Sequence, residues 1–361
     1  MARSKMIPVF DGHNDTLLHL AIKSPGTEEE FLTGRGGHLD LPRAEEGGLA
    51  GGLFAMFVPT ADWQMKINWR AEGPKGPIRR KGWDVPMAKR VGQPRAMNAV
   101  MTMMATLFRL EKLARGRIKV VRTHRQLTSA MDRGVLAVVM HIEGAEALKK
   151  DLHGLPVLYE AGLRSLGPVW SRPNAFGYGV PFNFPDTPDI GPGLTRAGKD
   201  LVRLCNELGV VVDLSHLNEK GFWDVVALSN APIVVSHAAV HALSPSPRNL
   251  TDDQLKAVGE SGGIVGVNFA RAFLRKDGRA DRKTTVDAIA DHVEYIAEKI
   301  GLDHVGFGSD FDGTKVPQDM EDVAGLPKLM HALRARGFKT AALKKIAHGN
   351  WLRVLGNTWK R

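Results

Sequence analysis

The sequence predicts an α/β fold: one closed (β/α)8 barrel of the TIM type over residues 1–361, with a basic insertion at 60–96 after the second strand. Three observations predict it. Apolar, β-rich runs recur eight times, and helix-length amphipathic stretches separate most of them. No GxGxxG follows the first run, which removes the usual dinucleotide-binding sheet.

In chain order the runs are PVFDGHND (8–15), LAGGLFAMFVP (49–59), VLAVVMHIEG (135–144), LRSLGPVW (163–170), GVVVDLSH (209–216), PIVVSH (232–237), GGIVGVNF (262–269) and HVGFGSD (304–310). Near-continuous apolar strands alternating with helices are the pattern of parallel strands buried on both faces. The spacing predicts helices over 97–115, 195–208, 251–260 and 284–300. Thr251 with Gln254 fits a capping box, and Thr195 stands just before a clear helical period. EGAEAL, from Glu143, reads as a further helix start.

Composition narrows the function classes. A 43% share of hydrophobic residue types in 361 residues supports a sizeable core. The first residues hold no apolar segment of signal-peptide length, and no later run suits a bilayer span, so the expected location is cytoplasmic with no membrane anchor. A lone Cys205 excludes an internal disulfide and a zinc knuckle. The net charge of +10 raises nucleic acid as a partner, and Lys66, Arg70, Lys75, Arg79, Arg80 and Lys81 crowd the insertion with Trp63, Trp69 and Trp83 interleaved. No helix-turn-helix, RNP or zinc-finger pattern accompanies them, so nucleic acid is not the expected partner. The insertion reads instead as a partial lid that lends positive field to a site.

Residues with ligand chemistry fall at the carboxyl ends of the runs. His13 and Asp15 end the first, Glu143 the third, His216 the fifth, His237 the sixth and Asp310 the eighth. In a parallel barrel these ends open onto one face, so six ionisable side chains converge on one mouth. Residues i and i+2 of a strand share a side, which aims His13 and Asp15 inward together and turns Asn14 away. Imidazoles mixed with carboxylates suit zinc rather than magnesium or calcium. Three of each exceed the needs of one ion and fit two, about 3.5–4 Å apart, with Glu143 as bridge and a hydroxide between them.

The motifs DGHND (11–15), IEGAEAL (142–148), LGVVVDLSH (208–216), APIVVSH (231–237), RNLTDDQL (248–255), GGIVGVNF (262–269) and HVGFGSDFDG (304–313) resemble, in order, those of the membrane (renal) dipeptidases. These are zinc metallopeptidases of the amidohydrolase superfamily, the metallo-dependent hydrolases. The resemblance covers nearly the whole chain. It implies two zinc ions per chain, one on His13 and Asp15, the other on His216 and His237, with Glu143 shared. Asp310 matches the family's acid/base aspartate and Arg248 its grip on the substrate's terminal carboxylate. It further implies cleavage of dipeptides, including those with a D-residue at the carboxyl end, and a homodimer. An alternative within the superfamily is hydrolysis of an N-acyl amino acid, a lactone or another small amide or ester.

One departure stands out. Where the mammalian enzymes carry a histidine thought to contact the substrate, this chain reads LGPVWS and places Trp170. Its indole N–H, or Arg172 or Asn174 nearby, is expected to take over as a substrate contact. Asp312 competes with Asp310 for the acid/base role, and His241 lacks the glutamate of an HExxH motif.

Overall fold

The computed structural model describes residues 6–23, 26–60, 78–79, 82–85 and 87–360. The eight expected runs each contain a strand: β1 (Val9–Asn14), β2 (Leu49–Phe57), β3 (Leu136–Glu143), β4 (Leu163–Gly167), β5 (Val211–Val212), β6 (Val234–Ala238), β7 (Ile264–Val267) and β8 (Val305–Phe307). They pair in parallel in the order β5-β4-β3-β2-β1-β8-β7-β6 and form one curled sheet. At the two ends of this path, Asp213 and Val234 form a parallel bridge, and the Leu214 N–H donates to the Val234 carbonyl at 2.9 Å. A short strand that the sequence pattern does not reveal, Ile118–Val120, pairs with the amino half of β3.

Several strands are shorter than their apolar runs, for a visible reason. Near the carboxyl ends, backbone N–H groups donate to buried carboxylates instead of ladder carbonyls. Ser215 N–H donates to Asp213 at 3.2 Å and Ser309 N–H to Asp11 at 2.7 Å. Once a side chain satisfies the backbone, the chain is free to leave the sheet.

The helices lie close to the expected spans. Arg196–Leu208 is capped by Thr195, and Asp252–Glu260 by Thr251 with a complete capping box to Gln254. Val286–Ile300 and Gln93–Leu113 follow, the latter opening early because Pro94 suits a first turn. The helix expected after Glu143 does not form there. Gly144 turns at φ 88°, a three-residue 3-10 turn follows, and helix resumes only at Gly154–Ala161. No helix among the described residues is long and apolar enough to cross a membrane.

At the amino ends of the strands, Trp351 of the helix Asn350–Thr358 packs with Phe10, Leu53, Val139, Val211, Val234 and Ile264, one residue from each of six strands. Its indole N–H donates to the Phe307 carbonyl at 3.0 Å. The ring fits only because Gly12 has no side chain, since a Cβ there would collide with it.

Most of the basic insertion, including Trp63, Trp69, Lys66, Arg70, Lys75, Arg80 and Lys81, lies outside the described residues. Its described end, Gly82–Trp83, pairs antiparallel with Ile78–Arg79, and Trp83 also bridges Phe184.

Candidate metal centre

The carboxyl ends of the strands bring the six expected side chains together. His13 is the penultimate residue of β1 and Glu143 the last of β3, and His237 lies in β6. Asp15, His216 and Asp310 sit just beyond β1, β5 and β8. Asn14 turns away, as expected, and donates to the Leu53 carbonyl of β2.

Glu143 divides its two oxygens. Oε1 lies 2.9 Å from His216 Nε2 and 3.4 Å from His237 Nε2, while Oε2 lies 3.8 Å from His13 Nε2. Asp15 Oδ2 is 3.9 Å from the same His13 nitrogen. Two groups of ligand atoms, His13–Glu143–His237 and His13–Asp15–Asp310, each lie within 4.8 Å of one another. Both nitrogens of His13 and one oxygen of Asp15 are buried with no hydrogen-bond partner among the described residues. Such orphaned polar atoms are costly unless something binds them.

The state of His237 follows from counting protons. Ser215 and Ser236 each spend their hydroxyl hydrogen on Asp213, both at 2.6 Å. Ser236 Oγ therefore accepts from His237 Nδ1, 2.8 Å away. That leaves the Nε2 lone pair facing His216 Nε2 at 3.0 Å and Glu143 Oε1. His216 Nδ1 is held by Ser171 Oγ at 2.8 Å. Imidazoles held at Nδ1 with Nε2 converging on a carboxylate make a donor set that fits a divalent cation.

Electrostatics agree. Burial, reinforced by neighbouring positive groups, pushes His216 and His237 well below the ordinary imidazole range. Burial also raises Glu143 well above the usual carboxylate range, and burial with the charge of Asp15 raises Asp310 to about 7. His13 goes the other way: burial lowers it, but Glu143, Asp15 and Asp310 outweigh that and lift it to about 10. Carboxylates driven toward neutrality beside an imidazole driven toward charge mark a site short of positive charge.

Beneath the mouth lies a polar layer that sequence reasoning missed. Asp11 accepts from Ser309, Asp213 from Ser215 and Ser236, and His141 Nδ1 pairs with Ser165 Oγ at 2.9 Å. One signal was available, because serine precedes histidine in both DLSH and VVSH.

The other expected residues divide. Arg248 is 2% exposed and lines the mouth. It donates to the carbonyls of Ser215 and His237, keeps Nε unpartnered and forms no ion pair among the described residues. Trp170 also lines the mouth. Asn174 does not: its amide donates to the Pro168 carbonyl and its oxygen accepts from Phe176 and Gly177, so its place as a substrate contact is corrected to a brace within its own loop. Arg172 pairs with Glu146 at 2.7 Å, and His241 binds the Asp186 carbonyl.

The two competing aspartates are also told apart. Among the described residues Asp310 accepts one side-chain hydrogen bond, from Asn268 Nδ2 at 3.1 Å. Asp312 is saturated by the Arg35 guanidinium, by His38 N–H at 2.7 Å and by Thr16 Oγ at 3.0 Å. Both stand in left-handed backbone, φ 60° and 68°, which aspartate tolerates better than most residues. A carboxylate already occupied by an arginine is poorly placed to shuttle a proton.

The family described as Membrane dipeptidase (Peptidase family M19) matches residues 3–360. A metallopeptidase from Rhodobacter sphaeroides, solved with a phosphinate mimic of the dipeptide L-Ala-D-Ala, is 47% identical with a TM-score of 0.92, covering 98% of this chain and 99% of that one. A protein encoded in the pqqA 5' region of Klebsiella pneumoniae is 46% identical over 258 residues, 72% of this chain and 95% of its own. Dipeptidase tcpJ of Claviceps purpurea is 30% identical over 349 residues, 96% of this chain and 76% of its own.

Proposed function

The chain belongs to the membrane dipeptidase family, and on that premise we propose that it is a metal-dependent dipeptidase with two zinc ions at the mouth of a (β/α)8 barrel. The barrel forms a single domain closed at the Asp213–Val234 bridge, with 60–96 as an insertion. His13 and Asp15 would hold one ion, His216 and His237 the other, and Glu143 would serve both. When bound, the ions supply Lewis-acid charge, which acidifies a water and stabilises negative charge on the carbonyl oxygen. Asp310, oriented by Asn268, takes the proton of the attacking water and passes it to the leaving amine. Arg248, a buried guanidinium with no ion pair among the described residues, draws the carboxylate end of the dipeptide into the mouth. The relative solved with an L-Ala-D-Ala mimic supports acceptance of a D-residue at that end.

The observation that carries this reading is the division of Glu143 between His13 and the His216–His237 pair, in the same mouth as Arg248. The test measures bound metal and screens L-Xaa-L-Xaa, L-Xaa-D-Xaa, N-acyl amino acids and lactones. Two ions per chain with dipeptide cleavage lost on chelation is the expected result. Cleavage confined to acyl amino acids or lactones would move the chain to another activity of the superfamily.

A further inference from the structure

One wall of the mouth is a continuous run of aromatic rings. Phe57 meets Trp170 with centroids 4.9 Å apart, Trp170 meets Phe182 at 5.5 Å, and Phe182 stacks on Phe273 at 6.2 Å and 9° between planes. The run ends under the cation, where the Arg248 guanidinium carbon lies 5.6 Å from the Phe273 centroid. All four rings line the cavity, and Asp15 and Asp310 line it too. Arg248 and Phe273 are held as one unit, because Asn249, next in the chain to Arg248, donates to the Phe273 carbonyl at 2.8 Å.

We infer that Phe273 and Phe182 form the subsite for the side chain of the carboxyl-terminal residue, and that this subsite takes an apolar side chain and refuses an acidic one. The inference rests on the reading of Arg248 as the carboxylate's partner. In any amino acid the carboxyl carbon and Cβ are bonded to one Cα, so they lie about 2.5 Å apart. A carboxylate held by Arg248 therefore starts its side chain within a few ångströms of the guanidinium. The apolar surface available there is Phe273 with Phe182 stacked behind it. An aliphatic or aromatic side chain gains by leaving water for that surface. An acidic one would face rings on one side and share the mouth with Asp15 and Asp310, with the Arg248 guanidinium already engaged by the terminal carboxylate.

The test compares kcat/KM for Ala-Gly, Ala-Ala, Ala-Leu, Ala-Phe and Ala-Asp on the zinc-loaded full chain, with the terminal residue in L and in D form. Leu-Gly and Phe-Gly serve as controls for the other position. Ala-Leu or Ala-Phe should exceed Ala-Gly by about tenfold to a hundredfold in at least one stereochemical series, with Ala-Asp lowest. Phe273→Ala should shrink the Ala-Leu to Ala-Gly ratio to a few-fold at most, and Phe273→Leu should keep most of it. The ratio is internal to each variant, so a lower folded or loaded fraction leaves it readable. A flat ratio in the unaltered protein, a preference for Ala-Asp, or a ratio untouched by Phe273→Ala overturns the subsite while dipeptide cleavage stands. A loaded protein that cleaves no dipeptide overturns the functional reading and the subsite with it.

Discussion

The two ends of the sheet are made by the same strands and follow opposite rules. At the amino ends, Trp351 and one apolar residue from each of six strands fill the space, and the indole N–H has its acceptor. At the carboxyl ends, His13, Asp15 and Arg248 are buried with polar atoms that have no partner among the described residues. Between them, Asp11 and Asp213 are each satisfied by serines. Good packing below and unmet demand above mean that one end maintains the fold while the other waits for something to bind. Stability and function are thus separable along a single strand, within a few residues.

The largest expected effect breaks the upper end alone. Glu143→Gln should lower kcat/KM by about a thousandfold, the several kcal/mol that shared cations contribute to the transition state. The metal-free protein should lose little thermal stability, because burial already drives Glu143 toward its neutral form, which glutamine matches in shape. Activity assays and melting curves on the same preparation check both. Trp351→Ala should do the converse, costing about 3–5 kcal/mol of stability by leaving a cavity. Urea unfolding measures it, and equal damage to metal affinity in the surviving folded fraction would erase the contrast.

A third test compares two buried imidazoles. His292, unlike His13, has both nitrogens occupied, by Val240 N–H and the Leu274 carbonyl, each at 3.0 Å. Burial lowers it to about 4. It is neutral in the fold and titrates near 6.5 when unfolded, so its contribution is complete above about pH 6.5 and is lost as pH falls toward 4. The loss amounts to about 3 kcal/mol across that window. Denaturant midpoints at pH 7 and 4.5 should converge in His292→Gln relative to the unaltered chain. The smallest effect concerns the supports: Ser236→Ala frees His237 to take the other tautomer and should weaken zinc binding by about 10–100-fold, with about 1–3 kcal/mol of stability lost because Asp213 loses a donor.

Much of this was legible in the sequence because buried charge is rare and position on a strand fixes direction. His13, Asp15, Glu143, His216, His237 and Asp310 could be placed at one end of the sheet from the runs they terminate. What escaped depended on partners distant in the chain. EGAEAL reads as a helix start at Glu143, but the chain turns at Gly144 and Glu146 is claimed by Arg172, twenty-six positions on. Asn174 looked free for substrate but is used by its own loop. Asp312 and Asp310 look alike in SDFDG, and only Arg35 and His38, from a distant turn, tell them apart. Strand ends were overestimated where Asp11 and Asp213 capture the backbone N–H groups of Ser309 and Ser215, which an apolar run would assign to the ladder.

The most direct measurement is anomalous diffraction from a zinc-loaded crystal. Two peaks are predicted, one about 2.0–2.2 Å from His13 and Asp15, the other at that distance from His216 and His237, with Glu143 touching both. A single peak, or two peaks of which one leaves Glu143 untouched, would contradict the account.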